Sequence, residues 1–125
     1  MLNGFGSPEE IEGLRRDLPG SAYHPADMSK PAEIAALISE TERLFGAVDI
    51  LVNNAGIQHV APIESFPAEK WDQVLAINLS SSFHTIRAAL PGMRRRAWGA
   101  SSTSPRRTGW SPPPKKPPTW RPNTA

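Results

Sequence analysis

The sequence predicts an α/β fold in which amphipathic helices alternate with short strands of one parallel sheet. Apolar residues recur at helical spacing in three segments, and the run Ile50–Val52 is continuous and apolar. Helix alternating with strand implies right-handed crossovers onto a single parallel sheet. The alternation stops near Gly99, where the composition changes abruptly. We therefore expect residues 1–99 to form a folded domain and residues 100–125 to form a separate tail.

The first predicted elements are a turn, a helix and a short strand. Gly4 and Gly6 form a lone G-x-G with no glycine-rich helix start after it, which is typical of a turn. The segment PEEIEGLRRDL follows as an amphipathic helix, and SAYHPAD is a short strand leading to Asp27. The inner face of this helix is expected to consist of Ile11, Leu14 and Leu18.

The second predicted helix is SKPAEIAALISETERLFG. Ser29 is expected as its N-cap, and Pro31 falls in the first turn, where a missing N–H is harmless. Gly46 is expected to end it at the C′ position. The strand Ile50–Val52 should then be buried on both faces, as in a parallel sheet covered by helices. The buried face of the helix should contain Ile34, Leu37, Ile38, Thr41 and Phe45.

The third predicted helix is long, FPAEKWDQVLAINLSSSFHTIRAALPGM. Asn78 lies inside its apolar stripe, and a buried amide without partners costs about 1–3 kcal/mol. This asparagine is therefore either a tolerated polar residue or a placed functional one. The predicted stripe consists of Trp71, Val74, Leu75, Ser82, Phe83, Ile86 and Leu90.

This order of elements predicts a partial Rossmann-like, doubly wound parallel sheet. Such a fold normally opens with a strand and a Gly-rich turn that binds the pyrophosphate, and we find no such segment in this sequence. We also expect no strand after the long helix, because the tail offers no apolar run.

Composition excludes several classes of protein. The 125 residues include no cysteine, so disulfide frameworks are excluded, and the cytoplasm is the default compartment. No apolar run approaches the roughly 20 residues that span a bilayer, and the start MLNGFGSPEE lacks the features of a signal peptide. We expect no metal site.

The tail is distinct in composition. It carries five of the 14 Lys and Arg residues, none of the 12 acids and seven of the 14 prolines. It contains no Val, Ile, Leu, Met or Phe. Because it cannot bury enough apolar surface to offset the entropy of ordering, residues 100–125 are predicted to be disordered.

Two motifs carry a resemblance to a known family. LVNNAG at 51–56 and INLSS at 77–81, with the spacing between them, resemble the short-chain dehydrogenase/reductase family. The longer run from NNAG to residue 99, together with LNGFG and ADMSKP, is similar to the NAD-dependent D-3-hydroxybutyrate dehydrogenases. The resemblance implies NAD as cofactor, a small hydroxy acid or keto acid as substrate, and a homotetramer, which we do not expect this chain to form.

The resemblance also implies a set of cofactor-binding residues. Small residues at the end of a central strand let a dinucleotide approach the backbone, although a simple strand-ending turn would explain the same residues. Asp27 would form a hydrogen bond with the adenine amino group. The alternative role for Asp27 is that of a cap preceding the second helix. The segment 3–6 has neither the acid that selects NAD nor an Arg for NADP, so NAD follows from the resemblance alone. The implied cofactor residues are Phe5, Asp27, Met28, Asn54, Ala55, Gly56 and Leu79.

The implied catalytic residues are incomplete. Asn78 matches the family's helix asparagine, one of four catalytic residues, and Gln58 matches a position that contacts the substrate carboxylate. On sequence alone Gln58 is a loop glutamine, and His59 is an ordinary loop residue. The family's other three catalytic residues are a Ser and a Tyr-x-x-x-Lys pair, which perform general acid/base catalysis. This chain has one tyrosine, Tyr23, and no Tyr-x-x-x-Lys, so we expect it to be inactive.

The genetic code suggests an origin for the tail. Read from the third base of the Gly99 codon, the fixed bases allow Arg-Ile-Ile-Asn-Ile-Ala-Ser-Ala-His-Gly-Leu over residues 100–110. Further on, the codons of Thr119 and Asn123 allow a Tyr and a Lys at the family's spacing. We therefore expect residues 100–125 to be a frameshift product.

Two other interpretations of the tail remain open. SPPPKKPP fits a polyproline II ligand of a proline-binding module. The basic residues fit a weak nucleic-acid arm, without specific nucleic-acid binding. Either would make the chain a non-enzymatic binding protein.

Overall fold

The structure is a computed structural model that describes residues 1–103. It confirms the α/β class and the alternation of helices with a parallel sheet. The elements are α1 (Pro8–Asp17), α2 (Pro31–Phe45), β1 (Ile50–Asn53), a 3₁₀ turn (Ile63–Ser65), α3 (Ala68–Leu75), a π-helical turn (Ala76–Ser80), α4 (Ser81–Arg95) and β2 (Ala100–Thr103).

Strands β1 and β2 pair in parallel, with Ile50 opposite Ala100 and Asn53 opposite Thr103. The prediction that no strand follows the long helix was therefore wrong. All four residues of β2 are exposed, so this strand is held by backbone pairing to the edge of β1 and needs no apolar side chains. Residues 100–103, predicted to be disordered, instead form this strand. From residue 104 onward, the predicted disordered tail and its binding motifs lie outside the described residues.

The predicted strand SAYHPAD is reduced to a single parallel bridge between Leu2 and Tyr23. Leu2 N–H donates to the Ala22 carbonyl at 2.7 Å, and His24 N–H donates to the Leu2 carbonyl at 2.9 Å. The Asn3 side chain adds two bonds, to the carbonyls of His24 and Ala26, both at 2.9 Å. The amino-terminal segment is thus tied to the chain that leads into α2.

Helix α2 supplies the centre of the core. Ile34, Leu37 and Ile38 are buried as predicted, whereas Phe45, predicted on the same face, is 47% exposed. Gly46 ends the helix with a φ of 81°, a left-handed conformation that glycine adopts without penalty. The predicted N-cap was wrong by one residue. Lys30 occupies that position, because the Ser29 hydroxyl is bonded to Asp27 instead.

The long helix buries a different face from the one predicted. Trp71, Leu75 and Phe83 are exposed by 50%, 38% and 59%. Small side chains allow α4 to approach α2 closely, and a Cβ on Gly92 would overlap the Glu42 carboxylate. Close packing between the two helices therefore determines which face of α4 is buried, and the predicted stripe of larger apolar residues does not. The buried residues of α4 are Ser81, Thr85, Ala89, Gly92 and Met93.

Two further burial predictions were wrong. Ile50 and Val52 are exposed by 67% and 61%, because α4 covers only the opposite face of β1, where Leu51 packs on the cluster formed by Ile38, Val48, Ala89 and Met93. Helix α1 forms as predicted but buries none of its described residues. Leu14 and Leu18 are about half exposed, at 48% and 46%.

Ala97 follows α4 with a φ of 55°, in the left-handed region. Its N–H donates to the Arg94 carbonyl at 3.1 Å and the Trp98 N–H to the Met93 carbonyl at 3.2 Å, the bonds of a Schellman motif. Because a non-glycine residue there costs about 1–2 kcal/mol, Ala97→Gly is expected to raise the free energy of unfolding by up to about 1 kcal/mol after glycine's entropy is deducted.

Urea unfolding followed by circular dichroism measures the effect of Ala97→Gly. The control is Ala36→Gly, at an exposed position inside α2, which should lower stability by about 1 kcal/mol. Equal losses in both variants would contradict the proposed relief of strain at Ala97.

Candidate functional site

The candidate site is a cavity of about 370 Å³ where β1 and the Leu2 segment both end. The cavity lies beside the carboxyl end of β1 and directly after the Leu2–Tyr23 bridge, as in the crevice outside the carboxyl ends of the strands where open α/β sheets bind ligands. The lining residues are Asn3, Gly4, Phe5, Met28, Asn54, Ala55, Gly56, Ile57 and Ile77. The volume is within the roughly 300–1,000 Å³ of ligand pockets.

The loop after β1 is held by Asn78. The Ile57 N–H donates to Asn78 Oδ1 at 2.8 Å, and Asn78 Nδ2 donates to the Ile57 carbonyl at 2.9 Å. Asn78 lies in the π-helical turn, a local widening of the helix that is frequent at functional sites. The expectation of a buried amide was wrong. Asn78 is exposed, because it projects from the widened turn towards the loop.

A second polar pair lies beneath the same loop and was missed from the sequence. Thr85 Oγ1 donates to Asn53 Oδ1 at 2.6 Å, and both residues are buried. Asn53 Nδ2 has no partner among the described residues. The sequence signals for this pair were weak. Asn53 is a polar residue at the end of an apolar strand, and Thr85 lies among the small residues of α4.

Asp27 forms the turn that precedes α2. Its Oδ1 accepts from the Ser29 N–H at 2.9 Å and from the Ser29 hydroxyl at 2.7 Å, and Lys30 lies 3.6 Å from Oδ2. The Ser29 N–H and hydroxyl, with Lys30, lower the pKa of Asp27 below its ordinary 3.8. The Asp27 N–H, followed by Lys30, lowers the pKa of Glu33 below 4.5. These bonds hold Met28 against the cavity.

The Asp27 turn should make stability depend on pH. The carboxyls of Asp27 and Glu33 both have lowered pKa values in the folded protein. Their contribution to folding stability is therefore present above about pH 4.5 and is lost as pH falls through the folded pKa values. We expect the thermal midpoint to fall less between about pH 6 and pH 3.5 in Asp27→Asn/Glu33→Gln than in the unmodified protein. Glu64→Gln, on a 3₁₀ turn, is the control. The same slope in all three proteins would contradict the prediction.

The structure brings five predicted cofactor residues to the cavity wall, Phe5, Met28, Asn54, Ala55 and Gly56. Asp27 adjoins the wall through Met28, and Asn78 reaches it through Ile57. Leu79 and Gln58 are exposed and do not belong to the lining. The sequence analysis did not assign Asn3, Ile57 and Ile77 to the site, although Asn3 lies in LNGFG, Ile77 begins INLSS and Ile57 follows NNAG.

The cavity suits the adenosine half of a dinucleotide. Phe5, Met28 and Ile77 give an apolar surface for an adenine ring, and Asn54 offers an amide beside it. A Cβ placed on Gly4 would meet nothing within 4 Å, so the backbone there is open to a ligand. Over residues 1–103, no cluster of three metal-ligating side chains occurs, and no helix has the length and apolarity to span a membrane.

Comparisons with known proteins agree with this geometry. A sequence model of the short chain dehydrogenase family matches residues 8–101. The D-beta-hydroxybutyrate dehydrogenases of Rhizobium meliloti and Cupriavidus necator are each 52% identical to this chain over 104 and 107 residues. In each case the match covers 79% of this chain and 40% of the relative, so the chain spans about two fifths of those proteins.

A solved structure is also similar. It is a metagenomic short-chain oxidoreductase in complex with NADP, which superposes with a TM-score of 0.72 at 26% identity. The match covers 78% of this chain and 46% of the other.

Proposed function

The chain belongs to the short-chain dehydrogenase family, and on that premise we propose that it forms the adenosine-binding part of a D-3-hydroxybutyrate dehydrogenase-like enzyme. The whole reaction would transfer hydride between NAD and a small 3-hydroxy acid, giving the 3-keto acid. The observation that carries the proposal is the cavity lined by both the Asn54–Gly56 loop and the Asn3–Phe5 segment. The high identity to two hydroxybutyrate dehydrogenases supports the choice of substrate class.

Each residue of the site has a role that its contacts suggest. Bound NAD would supply the hydride acceptor. Phe5 and Met28 would enclose the adenine, and Asn54 and Gly56 would lie along the ribose and the path to the nicotinamide. Asn78 would fix the loop by its two bonds to the Ile57 backbone. Asp27 would hold Met28 in place and Gln58 would meet the substrate carboxylate.

We propose that this chain binds NAD but does not turn substrate over. Tyr23 is the one tyrosine, and its hydroxyl donates to the Gly4 carbonyl at 2.7 Å, so its role is structural. Calorimetric titration with NAD⁺ and absorbance at 340 nm with 3-hydroxybutyrate separate binding from turnover. We expect binding without NADH formation. Lack of NAD⁺ binding would refute the proposed site, and steady NADH formation would refute the proposed inactivity.

We also propose that residues 100–125 arise from a single-base frameshift. Sequencing the gene provides the test, because the protein sequence leaves the third base of most codons unfixed. Read from the third base of the Gly99 codon, the gene should encode aliphatic residues at 101 and 102, Tyr at the codon of Thr119 and Lys at that of Asn123. Other residues there, or an early stop codon, would refute the proposal. The shifted reading allows Ile at 101 and 102, two residues of the strand that pairs with β1.

The proposal places the enzyme in the cytoplasm, without a membrane or a specific nucleic-acid partner. The lack of cysteine and the excess of acidic over basic residues before residue 100 support it. We do not propose for this chain the homotetramer that the resemblance implies.

A further inference from the structure

We infer that Glu10 makes this site select NAD over NADP, by placing its carboxylate beside the position of the adenosine 2′-oxygen. The inference rests on the proposed binding of NAD. In doubly wound folds, an acid near the end of the second strand selects NAD through the 2′-hydroxyl, and an Arg there accepts the 2′-phosphate of NADP. The corresponding segment here, Asn3–Gly6, contains neither.

The structure places Glu10 at this segment from a different element. A second cavity, of about 260 Å³, lies between the Asn3–Gly6 segment and α1, and Glu10 is part of its lining. Asn3, Gly4 and Phe5 line both this cavity and the candidate cofactor cavity. A ribose seated against these three residues would therefore lie next to the cavity that Glu10 lines.

The Glu10 carboxylate is held in place by a capping box at the start of α1. Its Oε2 accepts from the Ser7 N–H at 2.8 Å, and the Glu10 N–H donates to Ser7 Oγ at 3.2 Å. A Cβ on Gly6 would lie 3.3 Å from the same Oε2. The amino terminus of a helix ordinarily attracts phosphate through its free N–H groups, and here a carboxylate of the chain occupies that place.

The surrounding charges reinforce this effect. Glu9 adds a second carboxylate to the first turn of α1, whose basic residues Arg15 and Arg16 lie in its last turn. Lys30 is paired with Asp27 and Glu33. Neither of the two cavities has a Lys or Arg in its described lining. A neutral 2′-hydroxyl is tolerated there, whereas a 2′-phosphate meets negative charge without a partner.

The test separates the charge of Glu10 from its structural role. Glu10→Gln removes the charge and keeps the bond to the Ser7 N–H, because Gln also serves in a capping box. Glu9→Gln is the control, with the same charge change in the same turn. Calorimetric titration of each protein with NAD⁺ and NADP⁺ at low salt measures the ratio of the two dissociation constants, and circular dichroism checks that α1 is retained.

We expect Glu10→Gln to reduce the preference for NAD⁺ by about five- to twentyfold, and Glu9→Gln to reduce it by about twofold or less. The difference between the variants should shrink in high salt, where exposed charges are screened. Binding of NAD⁺ with no change of the ratio in Glu10→Gln, or with the same change in both variants, would overturn this inference alone. Failure of the unmodified chain to bind NAD⁺ would refute the proposed function, and this inference with it.

Discussion

Ile34→Ala is expected to lower the free energy of unfolding by about 2–5 kcal/mol, the usual cost of emptying a fully buried aliphatic position. Ile34 is 0% exposed and is the largest fully buried side chain among residues 1–103. It belongs to the cluster that includes Met28 and Ile77, both of which line the candidate cofactor cavity. The substitution should therefore weaken NAD⁺ binding as well as the fold.

The matched control for Ile34→Ala is Ile63→Ala, the same chemical change at a side chain that is 81% exposed. Surface substitutions of this kind change stability by about 0.5 kcal/mol or less. Urea unfolding of the unmodified protein and the two variants, monitored by circular dichroism at equal concentration, gives the change in the free energy of unfolding for each variant. A loss below about 1 kcal/mol in Ile34→Ala, or equal losses in both variants, would show that this cluster is not the centre of the core.

Helix α2 could be predicted almost completely from the sequence, because its signals are local. Apolar residues at three and four positions apart determine its inner face, and Gly46 determines its end. Phe45, predicted on the buried face, is 47% exposed, and the N-cap was misplaced. There the Ser29 hydroxyl had a competing acceptor in Asp27, which the spacing alone does not reveal.

The face of α4 could not be predicted in the same way, because a neighbouring helix determines it. Periodicity favours the larger apolar residues, whereas the structure buries Thr85 and Ala89 and exposes Phe83. Small side chains allow the two helix axes to come close, and close packing then determines which face is inside. The strand β2 was missed for a related reason, since the edge of β1 supplies its hydrogen bonds.

The candidate site was predicted where a motif marks it and missed where only the fold creates it. Asn54, Ala55 and Gly56 belong to a motif and line the cavity. Glu10 lies outside the two motifs of the family resemblance, and its carboxylate bonds the Ser7 N–H directly after the Asn3–Gly6 segment. The Asn53–Thr85 bond joins residues 32 positions apart, beyond the reach of any local pattern.

That bond supports the second large prediction, for Thr85→Val. The substitution keeps the shape of the side chain and removes the hydroxyl that donates to Asn53 Oδ1. Thr85 is 2% exposed and Asn53 8% exposed, so water cannot readily replace the bond. The buried amide then has no side-chain partner among the described residues. The expected loss of stability is about 1–3 kcal/mol, with most of it recovered in Thr85→Ser, which retains the hydroxyl.

The effect should extend to the cofactor, because Asn53 directly precedes the Asn54–Gly56 loop at the cavity wall. A side chain that is no longer anchored at the end of β1 lets that loop move. NAD⁺ titrations well below the unfolding temperature of each variant should then show weaker binding in Thr85→Val than in Thr85→Ser. If Thr85→Val loses stability but binds NAD⁺ as the unmodified protein does, the Asn53–Thr85 bond stabilises the core without affecting the cofactor site. If both properties fall together, the hydroxyl of Thr85 links the packing of α4 to the shape of the cofactor site.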